Sequence, residues 1–490
     1  MLTVLGQASS ACDGLTRRRL LEVAGAGLLG ASFGKLAAAE TRPAVRAPRA
    51  RSVIFLFLYG GPSQLETFDM KPEAADAIRG PFKPIDCRTP ELRICEHLPK
   101  TAAVSDKFCV LRTLTHPYND HSTAGHYLQT GHPWHIPIGG GFNSTPNDWP
   151  SMGSVAQYAQ QTSRAGRRPD GAMPGPVVLP GTMPGYVVLP NYLGRLEEGL
   201  VLRRPGEYAG WLGSKYEPLT TVIDKRHDKD NPYWRDCKDD ELRFEIQGLA
   251  AGKDLALDRL SRRRSLVEQF DLARRTLDGS RAVDGYRDFE KRALALVTSG
   301  EARRALDIRQ ESAATRDRYG RHLFGQATLM ARRLIEAGVR FATVHYDCVD
   351  GYSWDSHLSS RDVKSHLLPT FDQAYAALLT DLEERGLLSE TLVVAIGEMG
   401  RTPRANPNWG RNHWSTLFSA LLAGGGVRGG TMYGTSDAQA AYPTDHPIRP
   451  EDLAATIFDA LGIDPEMRIP NSQSRPVSLV ENAKKIDVFG

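Results

Sequence analysis

The chain has 490 residues, 41% hydrophobic and 24% charged, the balance of a folded globular protein rather than a disordered, collagenous or multi-span membrane one. Lys and Arg number 61 against 58 Asp and Glu, and the formal charge of +3 is too small to indicate a nucleic acid or an anionic membrane as partner. The six cysteines (Cys12, Cys87, Cys95, Cys109, Cys237, Cys348) contain no C-x-x-C, so nothing supports a zinc ribbon or a thioredoxin-type centre.

Residues 1–40 read as an export signal. Thr16-Arg17-Arg18-Arg19-Leu20-Leu21 is a basic zone, Val23 to Phe33 an apolar one, and Ala37-Ala38-Ala39 a small-residue cleavage zone; the paired arginines point to the twin-arginine export machinery. An apolar run of about 12 residues carrying Glu22 is too short to cross ~30 Å of hydrocarbon, so no stable membrane anchor is expected after cleavage. The mature protein is expected to be periplasmic or secreted. Residues 41–51 (TRPAVRAPRAR) read as a linker, 52–480 as a single large α/β domain, and 481–490 as a tail.

Val53 to Leu58 is a continuous apolar run ending in Tyr59-Gly60-Gly61-Pro62, the pattern of a buried parallel strand delivering a loop at its carboxyl end. Phe341 to Tyr346, Thr391 to Ile396 and Leu417 to Ala423 repeat the pattern, so four strands are expected to feed one rim, where α/β folds place ligands. Between the second and third, Phe371, Tyr375, Leu378 and Leu382 recur at helical spacing and Gly386 stops the helix, giving a strand-helix-strand crossover. Leu453, Ile457 and Leu461, closed by Gly462, mark another helix. Residues 130–235 are rich in Gly, Pro and aromatics and carry an echo, MPGPVVLP at 173–180 and MPGYVVLP at 183–190, which makes a loop pair rather than a solenoid. Residues 251–340 read as an inserted helical layer, with Leu266, Phe270, Ala273 and Leu277 on one face. Their 20 Lys/Arg against 13 Asp/Glu suggest a solvated Arg-rich face or a site for an anionic polymer.

Residues able to carry chemistry follow the strand ends. Trp354-Asp355-Ser356-His357 offers a carboxylate and an imidazole two residues apart, and Asp347 and Asp350 share its loop. Gly397-Glu398-Met399-Gly400-Arg401 and Gly410-Arg411-Asn412-His413-Trp414 add metal ligands in Glu398 and His413, with Arg401 and Arg411 available to an oxyanion. A loop-holding salt bridge between Glu398 and Arg401 is the plainer reading of that pair. His116, His121, His126, His132 and His135 form a second cluster. His121 and His126 lie about 140° apart on a helix and are no ligand pair. His121-Ser122-Thr123 reads as the first turn of a helix, which suits either an anion or activated nucleophile, or a plain cap with surface histidines.

The segments at 60–72 (GGPSQLETFDMKP), 121–134 (HSTAGHYLQTGHPW), 354–357 (WDSH), 397–403 (GEMGRTP) and 410–414 (GRNHW) together resemble an exported family of unknown function, DUF1501, over nearly the whole mature chain. That family is similar to the alkaline phosphatase and sulfatase superfamily. The resemblance implies a central, mostly parallel sheet flanked by helices, with one or two divalent ions (zinc, manganese or calcium) at its carboxyl edge. Sulfatases carry C-x-P-x-R nine residues before a Thr-Gly pair, and the cysteine becomes formylglycine. Here, counting back from Thr130-Gly131, that position is His121, and the Cys, Pro and Arg are all absent, which argues against formylglycine chemistry and leaves Ser122 as a displaced nucleophile. The aspartates that end the superfamily's first strand are replaced by Tyr59-Gly60-Gly61, so Asp69 or Glu66 would have to substitute. Its later Asp-His pair becomes Glu398-Met399; His413 matches the last histidine ligand, and Asp355 with His357 matches the middle pair loosely.

Two readings follow. In the first, a metal-dependent hydrolase of small-molecule or glycan phosphate or sulfate esters holds metal with Asp355, His357, Glu398, His413, His121 and Asp69. Ser122 or water attacks, Arg401 stabilises charge, and Ser63 and Arg411 contact substrate. In the second, the fold has lost its chemistry and serves as an exported binding or surface-assembly protein.

Overall fold

Ser52–Phe57, in which Val53, Ile54, Phe55 and Phe57 are β-branched or aromatic, extends as strand β1, every residue buried. The computed structural model describes residues 47–136, 143–165, 183–190, 203–223, 226–227, 230–246, 299–346 and 354–490. Within these, β2 (Phe108–Leu114), β3 (Tyr186–Leu189), β4 (Leu219–Val222), β5 (Glu245–Ile246), β6 (Phe341–His345), β7 (Thr391–Ile396), β8 (Phe418–Ala423) and β9 (Thr431–Tyr433) join β1 in a nine-stranded sheet of order β9-β2-β8-β7-β1-β6-β3-β4-β5.

β1 lies at the centre, parallel to β6 and β7, with Phe55 opposite Thr343 on one side and Val394 on the other. Strands β3, β4 and β6 are parallel, as are β2 and β9. Only β5 and β8 run against their neighbours. The reversal of β8 corrects one expectation: its carboxyl end, at Ala423, points away from the rim reached by β1, β6 and β7. Residues preceding β8 approach that rim instead, which is why His413 and Trp414 stand there.

Helices cover both faces, as a central parallel sheet requires. They are α1 (His121–Thr130), α2 (Met152–Ala165), α3 (Leu323–Glu336), α4 (Leu368–Glu384) and α5 (Pro450–Ala460). Side chains of β1 alternate between two cores: Ile54 and Leu56 pack with α3 and α4, while Val53, Phe55 and Phe57 pack with α1, α2 and α5. The expected stripe Phe371, Tyr375, Leu378 and Leu382 is the buried face of α4, and Gly386 follows at φ 71°. Helix α4 crosses from β6 to β7 over β1, the expected crossover.

Residues 1–46, with the export signal and most of the linker, lie outside the described residues, as do Leu266, Phe270, Ala273, Leu277, Asp347, Asp350 and the first copy of the echo. The described part of the helical layer is not one solvated basic face. Arg332, 1% exposed, pairs with Glu311 at 3.0 Å and Asp381 at 2.9 Å, and buried Arg316 bonds Gln326. The end of the expected linker and the expected tail both pack on the domain: Ala50 is buried and its N–H donates to Ala460, while Ile486 and Val488 are buried beside α5. Among the described residues no helix is long and apolar enough to cross a membrane.

Candidate metal centre

The centre forms where β1, β6 and β7 end and α1 begins. After β1 the chain turns at Gly60 (φ 106°) and Gly61 (φ 76°), a backbone that side chains other than glycine's rarely adopt. A Cβ on Gly61 would stand 2.4 Å from the carbonyl oxygen of Met399. The tight turn brings the Gly60 N–H to both carboxylate oxygens of Glu398, at 2.9 and 3.1 Å, just beyond β7. Helix α1 starts at His121 because Asp120 caps it, accepting the Thr123 N–H at 2.8 Å; Gly131, left-handed, ends it. His413 sits on a two-residue ribbon opposite Arg401.

Three imidazoles turn the same nitrogen to one carboxylate. The Nε2 atoms of His357 and His413 lie 2.9 and 3.1 Å from Oδ1 of Asp355, and Nε2 of His121 lies 3.2 Å from its Oδ2. Each ring is fixed from behind through Nδ1: His121 by Oε1 of Glu398 at 2.5 Å, His413 by the Asn119 carbonyl at 2.7 Å, and His357 by the Asn412 side-chain oxygen at 2.9 Å. These partners only accept hydrogen bonds, so Nδ1 carries the proton and Nε2 offers its lone pair inward whenever the ring is neutral. That is the usual outer support of metal-ligating histidines.

The donor set fits a divalent ion. Nε2 of His357 and of His413 approach to 2.9 Å, where two lone pairs repel unless a proton or a cation lies between them. One ligand atom from each of His121, Asp355 and His413 falls within a 4.8 Å span. The closest contacts, 2.9–3.2 Å, approach the ~3.4 Å edge of a tetrahedron built on metal–nitrogen bonds of about 2.1 Å. The described thiols take no part: Cys87, Cys95, Cys109 and Cys237 are free, and burial pushes Cys95 up to about 12.

Charge at the centre is strongly coupled. Burial opposes charging of His121, but the carboxylates of Asp355 and Glu398 outweigh it and raise the imidazole to about 9. Burial likewise opposes ionisation of Asp355, and His121, His413 and Arg401 outweigh it, holding the carboxyl well below its ordinary range. A bound metal would take over the role of the His121 proton.

The structure gathers Asp355, His357, His413, His121 and Glu398, with Glu398 behind His121 rather than in the inner cluster. Asp69 lies elsewhere: it pairs with Lys71 at 2.9 Å and accepts the Ser436 hydroxyl, which corrects its expected role as a ligand. Its alternative, Glu66, is spent on Arg411 at 3.0 Å, and burial pushes its carboxyl up. The arginines are also committed. Arg401, fully buried, donates to the carbonyls of Gly60, Gly61 and Arg411 and to Asp355 at 2.5 Å, so it clamps the glycine turn and the carboxylate instead of facing substrate. Arg411, 1% exposed, donates to Glu66, Ile78, Thr402 and Pro403, which removes it as a substrate contact. Ser63 and Ser122 are buried, and neither hydroxyl has a hydrogen-bond partner among the described residues. Ser63 precedes the short turn Gln64–Glu66 after β1, whereas Ser122 follows His121 directly in α1.

Sequence reasoning missed Asn119 and the roles of Asn412 and His116. Asn119 supports His413 by its carbonyl and the following loop by its side chain, at 2.7 Å from the Ser415 N–H. His116 donates from Nε2 to the Glu398 carbonyl at 2.7 Å, and burial lowers it to about 4. Arg204 was also missed: its guanidinium stacks 3.8 Å above the Tyr59 ring, whose centroid is 5.2 Å from that of His121. Asn119 and His116 flank His121 in sequence and were accessible signals; Arg204 was not, because only the fold brings it near.

The family model described as protein of unknown function (DUF1501) matches residues 50–489. The chain belongs to this family. The DUF1501 chain has no match among curated protein sequences. It is similar to the solved structure of a sulfatase from Pseudoalteromonas sp., at 11% identity and a TM-score of 0.36 over 93% of this chain and 73% of that one. It is similar to alkaline phosphatase from the Antarctic bacterium TAB5, at 11% identity and a TM-score of 0.35 over 85% of this chain and 99% of that one. A phosphonate monoester hydrolase from Silicibacter pomeroyi aligns at 12% identity and a TM-score of 0.33, over 85% and 74% of the two chains.

Proposed function

We propose that this protein is an exported metal-dependent hydrolase of phosphate or sulfate esters. The observation that carries the proposal is the convergence of Nε2 of His121, His357 and His413 on Asp355, each ring fixed from behind at Nδ1. A divalent ion bound there supplies a Lewis acid that polarises the ester and makes water a better nucleophile. Asp355 and the three histidines hold the ion, Glu398 orients His121, and Arg401 fixes Asp355 and the Gly60–Gly61 turn. Ser122, at the positive end of α1, is the alternative nucleophile to water. Zinc suits this nitrogen-rich set better than calcium, which prefers oxygen ligands.

One feature favours the second reading, an exported binding or assembly protein with a structural metal: β1 ends in Tyr59-Gly60-Gly61, and Asp69 stands away from the site. Metal content of the purified mature chain, with Glu398→Ala and His413→Ala, followed by an ester screen, separates the two. One or two equivalents of metal that both substitutions reduce, with ester turnover, supports the hydrolase; metal without turnover of any ester supports the binding protein; a chain that binds no metal sinks the hydrolase and leaves the binding protein standing.

A further inference from the structure

A metal held by Asp355 and three histidines would have four protein ligands, the closed set of a structural zinc site, whereas a catalytic zinc keeps three and leaves one position for exchange. The hydrolase reading therefore needs one of the four to leave, and the geometry distinguishes them. His121, Asp355 and His413 together offer one ligand atom each within 4.8 Å. The ring of His413 stands 4.4 Å from that of His121 and 4.6 Å from that of His357, centroid to centroid. The side chains of His121 and His413 are 19% and 22% exposed, while that of His357 is 37% exposed and is followed in the chain by exposed Leu358. His357 is thus the ligand most open to solvent.

What stands behind each ring separates them further. The Glu398 carboxylate and the Asn119 carbonyl can only accept hydrogen bonds, so neutral His121 and His413 keep their proton on Nδ1 and point the Nε2 lone pair inward. Asn412 is different, because a side-chain amide accepts on one side and donates on the other. With its oxygen 2.9 Å from Nδ1, His357 offers its lone pair. After half a turn of the amide, the NH2 group would donate to Nδ1, and the ring proton would have to sit on Nε2. The Asn412 main chain is pinned to Thr402 through both its N–H and its carbonyl, but its side chain is exposed and free to turn. Among the described residues its amide nitrogen has no hydrogen-bond partner to lose.

The inner side of the ring suits both states. Nε2 of His357 lies 2.9 Å from Nε2 of His413 and 2.9 Å from Oδ1 of Asp355, and a neutral His413 with an ionised Asp355 has no proton to place between them. A cation fills that space with His357 as a ligand, and a proton on His357 itself fills it by donating to either acceptor. The main chain stays in place through both states, since the Asn406 amide holds the His357 carbonyl at 2.9 Å. The exchange is also neutral: one proton leaves Nδ1 to solvent and one reaches Nε2 from it.

We propose that His357 is the exchangeable ligand of this centre and that Asn412 is the positioning residue that switches it. With the amide oxygen toward the ring, His357 holds the metal. With the amide nitrogen toward the ring, it lets go and donates from Nε2 to an oxygen of the phosphate or sulfate group that takes its place. The proposal rests on the hydrolase reading, which names that group. The test uses the zinc-loaded mature chain with isotope-labelled histidine, and inorganic phosphate as the probe; long-range proton–nitrogen correlation spectra report which nitrogen of each ring carries a proton or metal. With zinc alone, His121, His357 and His413 are all expected to hold metal through Nε2, and saturating phosphate is expected to put the Nε2 proton back on His357 alone. Asn412→Asp, whose carboxylate only accepts, is expected to keep His357 on the metal at a phosphate concentration that saturates the variant. Zinc affinity, read by competition with a chelator, is expected to fall less than about tenfold in His357→Ala and ~100-fold or more in His413→Ala. Phosphate that fails to bind or leaves His357 on the metal, a switch unchanged in Asn412→Asp, or equal zinc losses in the two alanine variants overturns the proposal. The switch without turnover of any ester would sink the hydrolase reading and leave the exchange standing, turnover with His357 fixed on the metal would sink the exchange alone, and a chain that takes no zinc removes both.

Discussion

Replacing Asp355 by Asn tests the centre most directly, because one carboxylate meets Arg401 and three imidazoles while the amide has nearly the same shape. In the metal-free protein the substitution leaves buried Arg401 with main-chain carbonyls only. Breaking a fully buried pair costs about 3–5 kcal/mol. The Asp355 side chain is 30% exposed, so solvent takes up part of that loss and the expected cost is roughly 1–3 kcal/mol. The larger effect is on metal. Outer partners of ligating histidines alone change affinity about 10–100-fold, so loss of the anionic ligand should exceed ~100-fold. With metal at 100 times its dissociation constant, wild type gains about 2.7 kcal/mol of stability, whereas a variant bound ~100-fold more weakly gains about 0.4 kcal/mol. For the roughly 440 residues from 46 to 490, unfolding entropy makes 1 kcal/mol worth about 1 °C in Tm. Calorimetry with and without zinc should therefore show a shift of about 3 °C in wild type and under ~0.5 °C in Asp355→Asn. An undiminished shift with a full metal complement in the variant would refute the argument that the histidines converge to bind a cation.

Asp69→Asn should leave metal content unchanged and lower stability by about 1–3 kcal/mol, since its partners are Lys71 and Ser436 and not the centre; metal loss by this variant would restore the role that geometry denies it. Gly61→Ala forces a side chain into a left-handed turn 2.4 Å from the Met399 carbonyl, and should cost roughly 2–4 kcal/mol in chemical denaturation while reducing metal content, because Glu398 hangs on the same turn. His322 caps α3 by accepting the Gly325 N–H at Nδ1, which only a neutral ring can do; burial, with Lys100 adding repulsion, lowers it to about 3. Its folded value lies below the unfolded ~6.5, so the unfolded chain takes the proton first, and stability should fall by up to about 1.4 kcal/mol per pH unit below 6.5 until pH nears the folded value. His322→Asn, which keeps a cap, should flatten that acid slope relative to wild type in urea titrations between pH 7 and 5; an identical slope would show that the ring does not stay neutral.

Much of the rim was legible because buried parallel strands need continuous apolar runs: β1, β6, β7 and the span of β8 all show one, and the spacing of Phe371, Tyr375, Leu378 and Leu382 marked α4. Strand direction has no such signature, which is why the reversal of β8 escaped notice. Asp355, His357, Glu398, His413 and His121 stood out as metal-capable side chains just past predicted strand or helix boundaries. Asp69, Arg401 and Arg411 misled for a shared reason. A charged residue in a Gly-rich loop reads as available for chemistry, and only coordinates reveal that Arg401 gives its donors to carbonyls of residues 60 and 61. Asn119 stood two residues before His121 in plain view, but that its main-chain carbonyl orients His413 follows only from the fold.

The central position of β1 also fixes an order of events during synthesis. Ser52 pairs with Thr391, and the Gly60–Glu398 contact spans 338 positions, so the first strand emerges long before its neighbour exists. At about 5–20 residues per second, the ribosome takes roughly 20–70 s to cover that distance. Through that interval the most apolar strand of the sheet has unsatisfied edges on both sides, a liability for aggregation that a chaperone or rapid provisional burial must cover. The ligand histidines wait as well, since His413 follows Thr391 off the ribosome. Metal bound at the centre would thus report that β1, β6 and β7 have come together, although β8 and β9 follow His413 off the ribosome and join later.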